Sequence, residues 1–231
     1  MHYWVGSFFR ISDKKHGTPL FPAGVHAISV VIKIVADNGN QIPDKSWMLY
    51  LLEFFNTQNI PVELNLICQF DNQDYFEAIF QGVNRYRFNK VLPLIGHSFM
   101  RMIVINKEKK QIRYTLYDQM TAQSEIFDFP LGMNFDYIGA NQFTGIEWWN
   151  KKGNFPYSIR YKVEVSQLMF GFLDKGDAES ITFVPHNSLI PNNDNSGTSY
   201  PITFQNVMLR DKCVCYSIES GNCINGMQYS V

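Results

Sequence analysis

The chain has 231 residues, of which 18% are charged and 15% are Phe, Tyr or Trp. Twenty basic residues oppose twenty-one acidic ones and no long basic run occurs, which argues against a nucleic-acid partner. Few charges and many aromatic residues favour large buried strand faces over helical bundles or disorder. A chain of this length can form one β domain, so we expect a single domain over 1–231.

The sequence contains no apolar stretch of about 18 residues and no export signal at its start, so we expect no membrane span. Localisation stays open, because an exported chain trimmed of its signal would look the same. Glycine-rich phosphate loops are absent, and the five histidines show no metal-ligand spacing. We therefore predict neither a cofactor nor a metal ion.

The first half of the chain predicts four strands. Residues 28–34 and 62–66 alternate between apolar and polar side chains, which is typical of a strand with one wet face. Residues 47–55 are apolar on both parities, so a short helix is the alternative, but the aromatic content favours a buried strand. Residues 76–83 complete this half.

The middle of the chain predicts a hairpin, because the alternating segments 99–105 and 111–117 flank a charged loop at 106–110. Residues 142–149 predict another strand. The clearest alternation occurs at 157–166, where every odd position belongs to the apolar face.

The last part predicts strands at 180–184 and 200–209 and a surface loop at 191–197. Cys213, Cys215 and Cys223 follow within a Cys-containing hairpin or tail at 211–231. The Ser-Gly-Asn segment at 220–222 predicts a turn, so that a disulfide between Cys215 and Cys223 could close a hairpin. Free thiols and a zinc site are the alternatives.

Ten or more short strands joined by turns, without intervening helices of crossover length, predict an all-β fold. We expect an antiparallel two-sheet sandwich of the concanavalin A-like or jelly-roll kind. Such a sandwich offers one concave face to a ligand.

Two acidic residues lie inside apolar strands. Glu53 is the only charge at 47–55, and if buried its carboxyl group must be hydrogen-bonded, paired or protonated. Glu147 precedes Trp148 and Trp149, which could desolvate it and stack on a ligand, although a strand sends those two to opposite faces. We predict Glu53 and Glu147 as a catalytic pair, against the alternative that both are surface acids.

Five short segments occur in the order found in eqolisin glutamic peptidases. They are Leu-Glu-Phe at 52–54, Phe-Glu-Ala-Ile-Phe at 76–80, Ile-Gly-His-Ser at 95–98, Tyr-Asp-Gln-Met-Thr-Ala-Gln-Ser at 117–124, and Ile-Glu-Trp at 146–148. From about residue 45 to 150 the sequence therefore resembles that family.

The resemblance implies a concanavalin-like sandwich with its catalytic Glu at Glu147 and the catalytic Gln of the family near Glu53. A Glu at that position lacks the amide donor that would hold an oxyanion, so the resemblance supports the fold more than peptidase activity. Asp118, within the fourth segment, is a candidate ligand-binding residue together with Trp47, Trp148 and Trp149.

The sequence is compatible with three functions. The first is a binding or structural module that holds carbohydrate or protein on an aromatic concave face. The second is a hydrolase that acts on peptides or glycosides through Glu147 and Glu53. The third is a shell or filament subunit that forms homo-oligomers, since few charges and many aromatic residues suit obligate contacts.

Overall fold

The computed structural model describes residues 2–10, 25–39, 42, 46–69, 73–89, 95–135, 139–150, 159–174, 177–185, 191–193 and 199–224. Within these residues every regular element is a β-strand. The strands are β1 His2–Arg10, β2 Ala27–Asp37, β3 Ser46–Asn56, β4 Pro61–Gln69, β5 Tyr75–Phe80, β6 Asn84–Arg87, β7 Ser98–Asn106, β8 Gln111–Asp118, β9 Gln123–Pro130, β10 Gly139–Asn150, β11 Tyr161–Asp174, β12 Asp177–Pro185, β13 Pro191–Asn193, β14 Ser199–Arg210 and β15 Cys213–Ile224.

The strands form two antiparallel sheets that pack face to face. The seven-stranded sheet has the order β13-β1-β10-β3-β4-β5-β6, and the eight-stranded sheet has the order β14-β15-β11-β2-β7-β8-β9 with β12 paired to β11. The inner faces of both sheets contribute to one apolar cluster, which contains Leu52 and Phe76 from one sheet and Ile32 and Ile103 from the other. The prediction of an all-β, two-sheet sandwich is confirmed.

Alternation predicted several strands correctly. In β7 the odd residues are buried and the even residues are half-buried, as expected for a strand with one wet face. β7 and β8 form the predicted hairpin, with Asn106 paired to Gln111 across the charged turn. The segment predicted as a strand at 47–55 lies within β3, so the helical alternative is wrong.

The alternation at 157–166 is confirmed where the structure describes it. Tyr161, Val163 and Val165 are buried in the core, while residues 157–158 lie outside the described part of the chain. A bulge at Gln167, which has a φ of 51°, then shifts the parity, so that Leu168 and Phe170 face the core further along β11.

Two predicted boundaries are wrong. The strand predicted at 76–83 ends at Phe80, because the backbone turns at 81–83 with positive φ at Gln81 and Gly82. The loop predicted at 191–197 begins with the short strand β13, which pairs with β1. Residues 194–197 lie outside the described part of the chain.

The turn predicted at 220–222 is also wrong, since β15 runs without a break from Cys213 to Ile224. The register of β14 and β15 shifts between the pairs Tyr200–Cys223 and Ile202–Ser220. The Ser-Gly-Asn segment therefore makes a bulge, which is a common role for glycine within a strand. The hairpin of this region is instead β14–β15, closed by the turn at 211–212.

The continuity of β15 excludes the disulfide between Cys215 and Cys223. Eight residues of extended strand separate their Cα atoms by about 25 Å, whereas a disulfide needs less than ~7 Å. Cys213 and Cys215 are buried free thiols, as is Cys68. The free-thiol alternative holds for Cys213 and Cys215, whereas the side chain of Cys223 lies outside the described parts of the structure.

The seven-stranded sheet departs from simple alternation at its centre. In β3, β4 and β5 nearly every residue is buried or half-buried on both parities. The face turned away from the sandwich core, here called the outer face, has its own apolar cluster, to which half-buried Trp47 packs. Its members are Leu49, Leu51, Ile67, Tyr75 and Ile79.

Candidate functional site

Glu53 and Glu147 lie on the same face of the seven-stranded sheet. The core-facing residues of β3 are the even ones, among them Leu52 and Phe54, so Glu53 belongs to the outer face. In β10, Ile146 faces the core and Glu147 faces outward. Cross-strand pairing sets Phe143 opposite Glu53 and Glu147 opposite Leu49. The two predicted acids therefore occupy neighbouring strands of one surface, four residues apart along the strand direction.

A third acid, Glu63, stands directly opposite Glu53 on the neighbouring strand β4. Asn56 N–H donates to Ile60 O at 3.2 Å, which places the hydrogen-bonded pairs of this ladder at even-numbered residues of β3. Glu53 and Glu63 are thus a non-hydrogen-bonded pair, the kind in which side chains approach most closely, with Cβ atoms about 5 Å apart. Two like charges in this arrangement repel, which favours a proton on one of them.

The electrostatics of the site agree with this geometry. Burial, and then the negative charges of Glu63 and Glu147, raise the pKa of Glu53 well above its ordinary value. Burial, and then the charge of Glu147, raise the pKa of Glu63 to about 7, while a hydrogen bond from Asn65 opposes that rise. At mildly acidic pH the cluster therefore retains protons on carboxyl groups that would be ionised in water.

Polar partners hold the acids from the β4 and β5 side. Asn65 is fully buried, and its Nδ2 donates to Glu63 Oε2 at 2.7 Å. Its neighbour on β5 is Glu77, which accepts a hydrogen bond from Arg85 Nη1 at 2.8 Å. Burial raises the pKa of Glu77, and the charge of Arg85 opposes that rise.

Aromatic side chains extend the same face. Arg85 lies 5.6 Å from the centroid of the Trp47 ring, and Arg87 lies 4.0 Å from the centroid of the Tyr75 ring. Trp47 is a predicted ligand-binding residue, and the structure places it on the outer face, which also carries the three glutamates.

Of the two other predicted tryptophans, Trp149 pairs with Trp47, whereas Trp148 pairs with the core residue Met48. Pairing therefore gives the two different parities, as expected for a strand. Their side chains lie outside the described parts of the structure, and their role in ligand binding stays a prediction.

Asp118 lies apart from this face, at the end of β8 in the eight-stranded sheet. It is buried, its Oδ2 is 3.0 Å from His97 Nδ1, and its Oδ1 accepts the Met120 N–H at 3.0 Å. It also lines a cavity of about 180 Å³ together with Ser124 and Glu125. Tertiary structure thus separates Asp118 from the predicted acids, and a role for it in ligand binding stays a prediction.

Sequence reasoning missed Glu63, Asn65 and Glu77. In the alternating segment 62–66, Glu63 and Asn65 have the pattern of side chains on a wet strand face, whereas in the structure they are 8% and 0% exposed. The available signal was the shortness of the 56–61 connection between the strands predicted at 47–55 and 62–66. That connection makes them antiparallel neighbours and sets Glu63 against Glu53.

The described residues contain no group of three or more His, Cys, Asp or Glu side chains placed to hold a metal ion. In the same part of the chain, no helix has the length and apolar character needed to span a membrane. What the outer face does offer is carboxyl groups whose pKa burial raises, those of Glu53, Glu63 and Glu77, together with amide and guanidinium donors.

No protein-family model matches the chain, and no curated protein sequence matches it at a significant level. Among solved structures, the chain is similar to scytalido-glutamic peptidase with a transition state analog inhibitor, at 12% sequence identity and a TM-score of 0.53. A second structure, scytalido-glutamic peptidase with a peptide-based transition state analog, has 11% identity and a TM-score of 0.52. Both matches cover 95% of this chain and 98% of the other.

The structure of SCP-B, a member of the eqolisin family of peptidases, in a complex with the tripeptide Ala-Ile-His gives 10% identity and a TM-score of 0.47 over the same shares of both chains. At these identities the likeness shows the fold alone. The resemblance to eqolisins predicted from segment order is confirmed at that level, and it extends beyond the predicted 45–150 to nearly the whole chain.

Proposed function

We propose that this protein is a hydrolase that cleaves peptide bonds in mildly acidic solution, with Glu147 as the general base and Glu53 as a neutral hydrogen-bond donor. The observation that carries the proposal is that Glu53, Glu63 and Glu147 share one sheet face, where burial and the charges of neighbouring glutamates raise the pKa of the first two. A carboxyl group with a raised pKa can supply a proton or a hydrogen-bond donor in mildly acidic solution, as general acid–base chemistry needs.

Glu147 activates the nucleophile in this scheme. Its carboxylate accepts a proton from a water molecule as the water oxygen attacks the carbonyl carbon of the substrate. The same carboxyl group then gives that proton to the leaving nitrogen as the carbon–nitrogen bond breaks. Glu147 returns to its ionised form, so the cycle needs no other reactant.

Glu53 holds the oxyanion that forms on the substrate carbonyl. A Gln would supply an amide N–H for this purpose, and an ionised Glu would repel the developing charge. The raised pKa of Glu53 changes that comparison, because a protonated carboxyl group has an O–H donor. The exchange of Gln for Glu is therefore compatible with hydrolysis, provided that the pH keeps Glu53 neutral.

The peptide substrate rests on the whole-chain likeness to structures described as glutamic peptidases. A glycoside is the alternative within the same mechanism class, since glycoside hydrolysis also uses two carboxyl groups, one protonated and one ionised.

The test measures turnover of a panel of fluorescence-quenched peptides and a panel of glycans between pH 3 and pH 8. We expect peptide cleavage that is fastest below pH 7, and a loss of about 100-fold or more in kcat/KM in Glu147→Gln. Glu164→Gln is the matched control, because Glu164 is exposed on the other sheet and pairs only loosely with Lys33 at 3.9 Å. A wild-type protein that cleaves neither panel, or a Glu147→Gln protein of undiminished activity, would defeat the proposal.

A binding module is the second candidate. It is favoured by Trp47 and Tyr75, whose rings lie on the outer face and carry Arg85 and Arg87 against them. Such a module would bind carbohydrate or peptide without turnover, and Glu147→Gln would leave its affinity nearly unchanged. Titration of unlabelled glycans and peptides into wild-type protein, followed by calorimetry, separates the two candidates.

A further inference from the structure

The ladder between β3 and β4 is open directly beside the acidic pair. Cα pairing holds at Tyr50–Leu66 and at Glu53–Glu63 with the same register, but it is interrupted at Leu51 and Leu52 between them. The opening therefore contains no inserted residue. By the alternation of the ladder, Leu52 and Leu64 should form a hydrogen-bonded pair.

One backbone N–H and one carbonyl of this pair form hydrogen bonds with side chains instead of with each other. Leu52 N–H donates to Asn65 Oδ1 at 3.1 Å instead of to the carbonyl of Leu64. Leu64 O accepts a hydrogen bond from Arg101 Nη1 at 3.1 Å. The opening is thus satisfied by Asn65 on one side and Arg101 on the other.

Arg101 comes from the opposite sheet. It lies on β7 between the core residues Phe99 and Ile103, is 1% exposed, and reaches across the sandwich. Its guanidinium also donates to Tyr50 O at 2.7 Å and to Leu51 O at 3.3 Å. Three carbonyls in and beside the open segment therefore share one planar donor group.

Burial of the Arg101 guanidinium in the core costs free energy of folding. Burial lowers the pKa of Arg101 to about 9, which still leaves the guanidinium charged at neutral pH. Within the described residues its Nε has no hydrogen-bond partner. A Leu or Met at this position, with an ordinary ladder, would avoid the desolvation of a charge. The opening therefore needs a reason other than stability.

The contacts indicate that the opening of the ladder serves to orient Glu63. Because Leu52 N–H is free of the ladder, it fixes Asn65 Oδ1, and the same amide group then points its Nδ2 at Glu63 Oε2, 2.7 Å away. A closed ladder would engage Leu52 N–H and release the Asn65 amide. Arg101 is thus linked to Glu63 through the Leu51–Leu52 peptide group, whose carbonyl accepts from Arg101 and whose N–H donates to Asn65.

We propose that Arg101 is a positioning residue of the acidic site: by holding open the β3–β4 ladder from the core side, it lets Asn65 orient Glu63 against Glu53. The consequence for turnover rests on the proposed hydrolase function, but the effect on Glu63 does not. A small displacement of a carboxyl group in such a site can slow a reaction by about 10-fold to 100-fold.

The experiment is a carboxyl-carbon NMR titration of Glu63, with Glu63→Gln used to assign the signal. Asn65→Ala provides the reference, because loss of its amide donor should raise the pKa of Glu63 by about 0.5 unit or more. Arg101→Lys and Arg101→Met should also raise the pKa of Glu63. Ile103→Val is the matched control, because it perturbs the same core face of β7 without touching the carbonyls.

A folded Arg101 variant in which Glu63 titrates as in wild-type protein would overturn the proposal. If neither Arg101 variant folds, hydrogen exchange of the Leu52 amide decides. We expect exchange at least about 10-fold faster in Asn65→Ala than in wild-type protein, because Asn65 is the acceptor. Equal exchange would show that Leu52 has a ladder partner, which contradicts the proposal.

If peptide turnover is found, Arg101→Lys should lower kcat by about 10-fold with little change in KM, since the substrate does not touch Arg101. If no turnover is found in wild-type protein, the hydrolase proposal fails while the titration result stands. The two failures are therefore distinguishable.

Discussion

Glu53 and Glu63 are direct cross-strand neighbours in the β3–β4 ladder, at a position where the strands exchange no hydrogen bonds. Glu63 is 8% exposed, so water screens this pair poorly. The folded protein therefore binds protons that the unfolded chain would release, and its stability becomes a function of pH.

The first prediction concerns stability. The pKa of Glu63 is raised from its ordinary value of 4.5 to about 7, so between these values the folded state binds more protons than the unfolded state. This contribution to the free energy of unfolding is present below pH 4.5 and is lost as the pH rises through 7. The loss should be on the order of 3 kcal/mol.

Urea denaturation at pH 5 and pH 8 measures this difference, and Glu63→Gln should make it markedly smaller. Glu164→Gln, on the exposed face of β11, should leave it unchanged. A wild-type protein that is equally stable at both pH values would contradict the proposed protonation of the pair.

The second prediction concerns the pH dependence of turnover. If protonated Glu53 donates to the oxyanion, the wild-type rate falls as the pH rises through the raised pKa of this residue. Glu53→Gln supplies a donor at every pH, so the variant should stay active and lose that decline. Steady-state assays from pH 3 to pH 9 compare the two profiles. Inactivity of Glu53→Gln at all pH values, like that expected of Glu147→Gln, would instead make Glu53 a base or nucleophile.

The third prediction concerns the link between the sheets. The Tyr50 hydroxyl donates to Tyr161 O at 2.7 Å and accepts the Tyr161 N–H at 2.6 Å, so one side chain of β3 satisfies two backbone groups of β11. Tyr50→Phe leaves both groups buried without that partner, which should lower the free energy of unfolding by about 1–3 kcal/mol. Chemical denaturation provides the measurement.

The control for that variant is Tyr117→Phe, on the half-buried outward side of β8, which should change stability by less than ~0.5 kcal/mol. Equal effects of the two substitutions would mean that the Tyr50 hydroxyl does not hold the sheets together.

The fourth prediction concerns packing at Gly171. A Cβ atom there would lie 2.6 Å from Ile181 Cγ2 and 2.7 Å from Ala27 Cβ, because β2 and β12 flank β11 closely. Gly171→Ala should therefore cost about 1–3 kcal/mol of stability through overpacking. Gly132→Ala is the control, since nothing lies within 4 Å of a Cβ at that position. Thermal unfolding of the two variants compares them, and equal melting temperatures would show that the sheet has room at Gly171.

Strand positions could be predicted from local pattern where one face meets the core and the other meets water. β7 and the start of β11 follow that pattern, because a period of two residues reverses the side-chain direction at each step. The pattern fails at Gln167 and at 220–222, where bulges occur inside strands. A bulge is stabilised by its neighbouring strands, so its own residues carry the same signal as a turn.

In the candidate site, too, some residues could be predicted from the local pattern and others could not. Glu53 and Glu147 stand out in the sequence because each interrupts an apolar segment, and such an interruption is visible without knowing the partner strand. Glu63 and Asn65 do not stand out, since polar residues in an alternating strand predict an exposed face. Their burial depends on which strands lie beside them.

The sequence by itself determined that this chain forms antiparallel sheets with a shared apolar core, because side-chain alternation and turn residues act over a few neighbouring positions. Only the tertiary structure decided that three glutamates would share one sheet face, and that Arg101 would reach the backbone carbonyls of this sheet from the other one. Cross-strand register and sheet packing join residues that are far apart in the chain, and local propensity contains no information about those distances.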